Sequence, residues 1–354
     1  MVNFLRKFNL WVVFLTLLAY CAPYISPAKV SLFLFFGLAF PWLLLANALF
    51  ILVWAVSRMR YWWFSTVTLL LGWTHLTAVF GVNFWKNTEG SPKTETTIRV
   101  LQYNVMDYDT PYHKDKAAAK NNLNHFFEQQ NADVVCLEEG GEFKESFLKY
   151  IADFFPALAA YPYQLHQKGN EIIIFSRYPI VNEGKLEDQK TGNGCNFADI
   201  QIGDKKVRVF ALHLTSNKVS GMADNLAENG TIVDDDSWLS AGRMLMRVRR
   251  TGIKRTREAE YIASVIQQSP LPVIVCGDFN EIPVSYAYKT LSEGLSDAFQ
   301  QSAFGFSATY NGNIPALKID NILMSKTIEA RNCQILNVKY SDHYPIVADL
   351  ELNF

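Results

Sequence analysis

The sequence predicts an α/β domain carried behind an apolar, membrane-type segment. Three observations predict it: three long uncharged apolar runs lie before residue 86, short β-branched runs alternate with helical patterns after residue 97, and most of those later runs carry a carboxylate, amide or imidazole near one end. A length of 354 residues suits one large domain plus an accessory segment, because single cores rarely grow beyond ~250–300 residues.

The apolar runs span about Phe8–Ile25, Val30–Val56 and Tyr61–Trp85, and none holds an Asp, Glu, Lys or Arg. A bilayer-crossing helix needs ~20 residues, and these runs are apolar all round, without the polar stripe of a soluble helix. Pro41 is expected to kink the second run, which neighbouring helices in a membrane accommodate. Trp62, Trp63 and Trp85 sit near run ends, where amphipathic rings favour the headgroup region. His75, inside the third run, reads as a residue bonded to a neighbouring helix rather than as a site. The expectation is three transmembrane helices in residues 1–85, hence a multi-pass integral membrane protein. Arg6 and Lys7 before the first run also fit a signal peptide, and Leu18–Cys21 resembles a lipoprotein cleavage site, but bulky Tyr20 before the cysteine opposes cleavage. Arg6, Lys7, Arg58 and Arg60 fall on one side of three crossings and Lys29, Lys86 and Lys93 on the other. The positive-inside rule then puts the C-terminal domain outside the cytoplasm. Residues 86–97, polar and aperiodic with Gly90 and Pro92, read as a linker.

Residues 98–354 form the second unit. Strand signals recur at Ile98–Val105, Asp133–Glu139, Glu171–Ile180, Val207–Leu214, Pro272–Gly277, Lys318–Ser325 and Tyr344–Leu352, as β-branched runs bounded by turn residues. Helical faces lie between several of them: Ala119, Leu123, Phe126 and Phe127; Phe143, Phe147, Ile151 and Phe154; Ala259, Ile262, Ala263 and Ile266. That order demands an α/β domain, though periodicity leaves the stacking of the strands open.

Charge narrows the function classes. The chain has 33 Lys+Arg and 34 Asp+Glu, of which residues 1–96 hold seven and two, leaving 26 basic and 32 acidic residues for the second unit. An acidic domain gives no support to coating nucleic acid by charge, where affinity comes from neutralising phosphates. The five cysteines make no zinc pattern and no dense disulfide framework. Cys136 and Cys276 end apolar runs, where free cysteine serves as a small buried hydrophobe.

Asn104 follows its strand, as do Glu138 and Glu139, His213, and Asp278 with Asn280. Asp320 lies early in its strand, and Asp342 and His343 precede the last one. Each alone is an ordinary turn former or a hydrogen-bonded histidine. Together, at strand ends where sites are built, several hard oxygen ligands and two histidines match Mg²⁺ or Mn²⁺ rather than zinc.

DVVCLEE (Asp133–Glu139), FSRYPI (Phe175–Ile180), GDFN (Gly277–Asn280) and SDHYPI (Ser341–Ile346) resemble, in order and spacing, the motifs of the endonuclease/exonuclease/phosphatase family. The resemblance covers Ile98 to Leu352. It implies a four-layer αββα sandwich with a site at one rim of the paired sheets, and a Mg²⁺-dependent (or Mn²⁺-dependent) phosphoesterase activity. By the same resemblance Asn104, Glu139 and Asp342 hold or support the metal, while Asp278 and Asn280 orient the attacking water and the transition state. Asp320 pairs with the catalytic His343, and His213 is the second histidine. Two departures stand out: the family's Gln-Glu pair is Glu138-Glu139 here, and Met106 occupies the position where some nucleases have an aspartate.

Between His213 and a helix expected to begin near Thr256 lie about forty residues, first acidic (Asp234–Asp236), then basic (Arg243, Arg247, Arg249, Arg250, Lys254, Arg255, Arg257). They read as a surface excursion or as a lid facing substrate or membrane. The leading functional expectation is a membrane-anchored phosphodiesterase or phosphatase acting on phospholipid headgroups, nucleic acid or small phosphoesters, with no protein partner inferred. The alternatives are a nuclease and an inactive membrane-tethered binding protein; Asp278, Asn280, Asp320 and His343 together oppose the last.

Overall fold

A computed structural model describes residues 1–83, 94, 96–141, 144–169, 171–186, 194–216, 235–312 and 317–354, with backbone only at 145 and 235–241. The linker expected over 86–97 lies mostly outside the described residues, as do Trp85, Phe143 and the first part of the excursion, 217–234.

The apolar segment folds as helices α1 (Val2–Cys21), α2 (Leu32–Leu38), α3 (Phe40–Val56), α4 (Trp62–Leu71) and α5 (Trp73–Val79). Arg6 lies over the Tyr61 ring at one end of this bundle, and Tyr20 stacks on His75 at the other, so the three runs go up, down and up. The bundle is inside out relative to a soluble one. Asn9, Thr16, Asn47, Ser65 and Thr68 are buried, whereas Trp11, Phe14, Leu45, Leu49, Leu52 and Leu70 are exposed. Several of the buried polar groups bond across the helices: Asn9 donates to Ser65 Oγ at 2.8 Å and accepts from Trp54 Nε1 at 3.0 Å, and Asn47 donates to Thr16 Oγ1 at 2.8 Å.

The expectation of three single spans needs correction. Among the described residues one helix, Val2–Tyr24, is long and apolar enough to cross a membrane, and Leu32–Leu38 with Phe40–Val56 meet the same length and composition only when taken together across a 54° bend. Pro41 sits in the first turn of α3, just after the bend. The third run breaks at Gly72, where the Tyr20 ring fills the place of a side chain and its hydroxyl donates to Thr68 O at 2.9 Å. Within the run's last described residues, Phe80–Val82 form β1 instead of helix, paired with β11 (Phe304–Phe306) of the second unit.

The second unit is a four-layer α/β sandwich. Its other strands are β2 (Thr97–Asn104), β3 (Val134–Glu138), β4 (Tyr163–His166), β5 (Ile173–Ser176), β6 (Ile180–Leu186), β7 (Gly194–Ile202) and β8 (Lys205–His213). They are followed by β9 (Val273–Asp278), β10 (Leu295–Asp297), β12 (Asp320–Ser325), β13 (Ile328–Ile335) and β14 (Ile346–Leu352). One sheet runs β13-β14-β2-β3-β5-β4 and the other β10-β12-β9-β8-β7-β6. Residues alternate along each strand. Ile98, Val100, Val134 and Cys136 point between the sheets to meet Ile200, Val209, Ile274 and Cys276, whereas Leu101, Tyr103, Val135 and Leu137 face outward. Onto that outer face pack α6 (Lys116–Gln130), α7 (Glu145–Phe154) and α8 (Pro156–Ala159). On the far face, Ala259, Ile262, Ala263 and Ile266 cover Val273 and Val275. Burial on both faces explains the continuous apolar runs.

Three expectations change in detail. Glu171–Ile180 is two strands, not one: Ser176 Oγ turns the chain by bonding Tyr178, and β5 and β6 belong to different sheets. On α7, Phe154 is exposed and Phe155, one residue past the helix, is buried. The helix expected near Thr256 begins at Asp235 and runs 33 residues to Gln267 as α9, because its Arg, Met and Leu residues are good helix formers.

Candidate active site

Strand register assembles the site. His213 pairs with Asp278 across β8 and β9, Asp278 pairs with Asp320 across β9 and β12, and Asn104 pairs with Glu138 across β2 and β3. Side chains of paired residues point to one face, so five polar groups meet where the sheets part. Gly277 permits this. A Cβ there would lie 1.9 Å from Leu212 O, and its φ of +150° suits glycine.

Asp320 is fully buried and uses both oxygens, Oδ2 to His343 Nδ1 at 2.9 Å and Oδ1 accepting from Gln102 Nε2 at 2.9 Å. Gln102 Nε2 also donates to Glu138 Oε2 at 2.8 Å. Burial, then the charges of Cys136 and Asp320, pushes the Glu138 carboxyl up; its neutral form is close in shape to the glutamine usual in the resemblance. Burial opposes charge on His343, but Asp320, Asp278 and Asp342 outweigh it and hold the imidazolium far above its ordinary range. Asp278 Oδ1 accepts from Asn280 N–H at 2.8 Å, and Oδ2 lies 3.7 Å from the Nε2 atoms of both His213 and His343. Burial raises the carboxyls of Asp278 and Asp342.

On the open side, Glu139 follows β3 with φ +49° and is 31% exposed at its side chain. Its Oε1 accepts from Asn104 Nδ2 at 3.2 Å and lies 3.7 Å from His213 Nε2. Asn280 also has φ +49° and donates from Nδ2 to Leu214 O at 3.1 Å. Non-glycine residues in this conformation cost of order 1–3 kcal/mol and cluster at sites. All eight expected residues therefore meet at one rim. Three further ones were not visible in the sequence. Gln102 links Glu138 to Asp320, Thr309 Oγ1 accepts from Ile319 N–H and Asp320 N–H, and Tyr310 lies edge-on to His343 at 5.4 Å. Their roles come from long-range pairing that no local pattern records.

Residues 101–343 match the Endonuclease/Exonuclease/phosphatase family. The chain belongs to this family. It is thereby a metal-dependent hydrolase of phosphate ester bonds. Residues 2–79 match a family described as a domain of unknown function. Carbon catabolite repressor protein 4 homolog 1 of Arabidopsis thaliana is 24% identical over 60% of this chain, which spans 40% of that relative's length. Two solved structures have the same fold: an endonuclease/exonuclease/phosphatase family protein of Bacteroides thetaiotaomicron (16% identity, TM-score 0.52, covering 73% of this chain and 99% of its own) and the corresponding protein of Bacteroides vulgatus (19%, 0.51, 73% and 100%).

The donor set fits a divalent cation. Four carboxylates (Glu139, Asp278, Asp320, Asp342) face two imidazoles, and among the described residues the buried His213 Nε2 has no hydrogen-bond partner. Ligand-type atoms of Asp278, Asp320 and His343 lie within 4.8 Å of one another, but Asp320 and His343 already bond each other. Hard cations prefer oxygen ligands, and Glu139 and Asp342, 31% and 25% exposed at their side chains, offer carboxylates on the open side next to the buried Asn104 amide.

Proposed function

We propose that the protein is an integral-membrane, Mg²⁺-dependent phosphodiesterase or phosphatase whose catalytic domain lies outside the cytoplasm. The carrying observation is the convergence of Asn104, Glu139, His213, Asp278, Asn280, Asp320, Asp342 and His343 at one rim, with His343 held charged by Asp320. Glu139, Asn104 and Asp342 would hold a Mg²⁺, which when bound would supply Lewis-acid stabilisation of phosphoryl charge. Asp278, made more basic by burial, takes a proton from water as its oxygen bonds phosphorus. Asn280 keeps that carboxylate aligned. His343 donates a hydrogen bond from Nε2 to the developing negative charge on the phosphoryl group, the ester oxygen leaves with the bonding pair and takes a proton from solvent water, and Asp278 returns its proton to solvent. Asp320 keeps the His343 proton on Nδ1 and the ring in place.

Membrane integration is supported by the inside-out bundle, since transmembrane helices associate through hydrogen bonds between buried polar residues and turn apolar ones to lipid. The bond from Tyr20 to Thr68 and the packing of Ala19 against the second unit favour retention of α1 over its removal as a signal peptide. The test is hydrolysis by the full chain in detergent, with Mg²⁺ or EDTA, of a phospholipid, an oligonucleotide, a chromogenic phosphodiester and a chromogenic monoester. Mg²⁺-dependent turnover of the phospholipid or of either chromogenic ester supports the reading. Turnover unchanged by EDTA, or none on any of the four, overturns it, and turnover of the oligonucleotide alone converts it to a nuclease.

A further inference from the structure

We propose that the face of α9 bearing Met246, Arg249, Arg250, Ile253, Lys254 and Arg257 is a docking surface for the anionic headgroups of the lipid leaflet next to the catalytic domain. The inference rests on the membrane reading above and adds which surface meets the lipid and with what charge preference. Those six residues enclose an open concavity of about 360 Å³. Among the described residues no carboxylate pairs with Arg250 or Arg257, whereas Lys254 Nζ lies 3.3 Å from Glu258. Beside them Leu245 and Met246 are 54% and 58% exposed. Guanidinium groups interleaved with exposed apolar side chains suit the boundary between phosphate headgroups and acyl chains.

Position selects lipid over a soluble anion. The α9 helix is fastened to the apolar bundle where α2 begins: Val248 packs on Leu34, Arg249 Nε donates to Ser31 Oγ at 2.9 Å, and a Cβ on Gly252 would lie 2.6 Å from Leu34. The turn before α2 follows α1, so it lies at the level where a crossing helix leaves the hydrocarbon. The same helix then reaches the active-site loops. Buried Arg255 donates to Glu281 Oε1 at 2.8 Å and to Thr215 O at 2.9 Å, and Glu258 accepts from the Thr215 N–H at 2.9 Å and its hydroxyl at 2.5 Å. Thr215 follows His213 by two residues, and Glu281 follows Asn280. One rigid element therefore links the basic face to both loops, and headgroup contact fixes the height and tilt of the catalytic rim over the leaflet.

The experiment uses full-length protein with Cys21→Ser and a fluorophore on Met246→Cys, in nanodiscs of phosphatidylcholine with increasing phosphatidylglycerol and a trace of brominated-chain lipid. Quenching is expected to rise with phosphatidylglycerol. Each of Arg250→Ala and Arg257→Ala should raise the phosphatidylglycerol needed for half-quenching about fivefold, with hydrolysis of a soluble ester in neutral discs unchanged. Equal quenching in neutral and anionic discs, or a midpoint unmoved in the double variant, overturns the inference. Loss of quenching on adding an oligonucleotide at equal phosphate assigns the face to nucleic acid and also overturns it. Release of the chain from membranes by alkaline carbonate is the separate sign that the membrane reading itself has failed.

Discussion

At the scale of single residues, Asp320 is the group on which His343 depends, because its two oxygens are committed to the His343 ring and to Gln102. His343→Ala, Asp278→Asn and Glu139→Gln should each lower turnover about 10²–10⁴-fold while leaving the circular-dichroism spectrum unchanged. Near-full activity in His343→Ala would refute the site. A second residue-scale prediction concerns acid stability. Burial raises the Asp199 carboxyl, but its two-pronged bonds from Arg208 (2.6 and 2.9 Å) and one from Asn182 (2.9 Å) outweigh that and hold it below its usual range. A lowered folded-state pKa contributes stability above the unfolded value, lost as pH falls through the folded one. Asp199→Asn should therefore cost about 2 kcal/mol near neutrality, with the gap to the parent narrowing in acid melts. A constant gap at every pH would contradict it. The candidate site residues were legible because each lies at or near the end or beginning of an apolar strand. Gln102 was hidden inside one, reading as part of IRVLQY, and its amide acquires a role only where β2 of one sheet faces β12 of the other.

At the scale of elements, the strands that frame the site were legible as largely apolar, β-branched runs, whereas β6, β7 and β13 were not. Segments such as GCNFADIQI (Gly194–Ile202) mix Asn, Asp and Gln with apolar residues, since Asn196 and Asp199 find partners in the folded state, Ile172 O and Arg208. The helix α9 was half legible: its apolar face appeared from Ala259 onward, but Arg255, read as part of a surface excursion, is buried against the loops. Gly277 is the element-scale constraint, because β8 and β9 approach with no room for a side chain. Gly277→Ala meets backbone at 1.9 Å and must push Asp278 away from His213. We expect a loss of about 3 kcal/mol or more, in the range of backbone strain and core overpacking. An urea melt superimposable on the parent would show that the strands separate freely.

For the whole molecule, the two sequence units are not independent neighbours. Ala19, Phe40 and Val79 share a buried cluster with Ile282, Val284 and Ile319, and β1 completes a two-stranded sheet with β11. The up-down-up course of the bundle carries the ends of α1 and α5 and the start of α2 to the catalytic side, and Met1 with the Ser57–Arg60 turn to the other. Arg6, Lys7, Arg58 and Arg60 all lie on that other side. Cytoplasmic loops carry the excess of Lys and Arg, so Met1 and the Ser57–Arg60 turn are expected inside and the catalytic rim outside, facing extracytoplasmic phosphoesters. Paired reporters fused after Phe354, one active only in the cytoplasm and one only outside it, measure this directly, since the sandwich places the chain end on the catalytic side. The outer reporter should give the signal. Signal from the cytoplasmic reporter alone would reverse the orientation and, with it, the pool of substrates the enzyme meets, while leaving the residue-scale chemistry untouched.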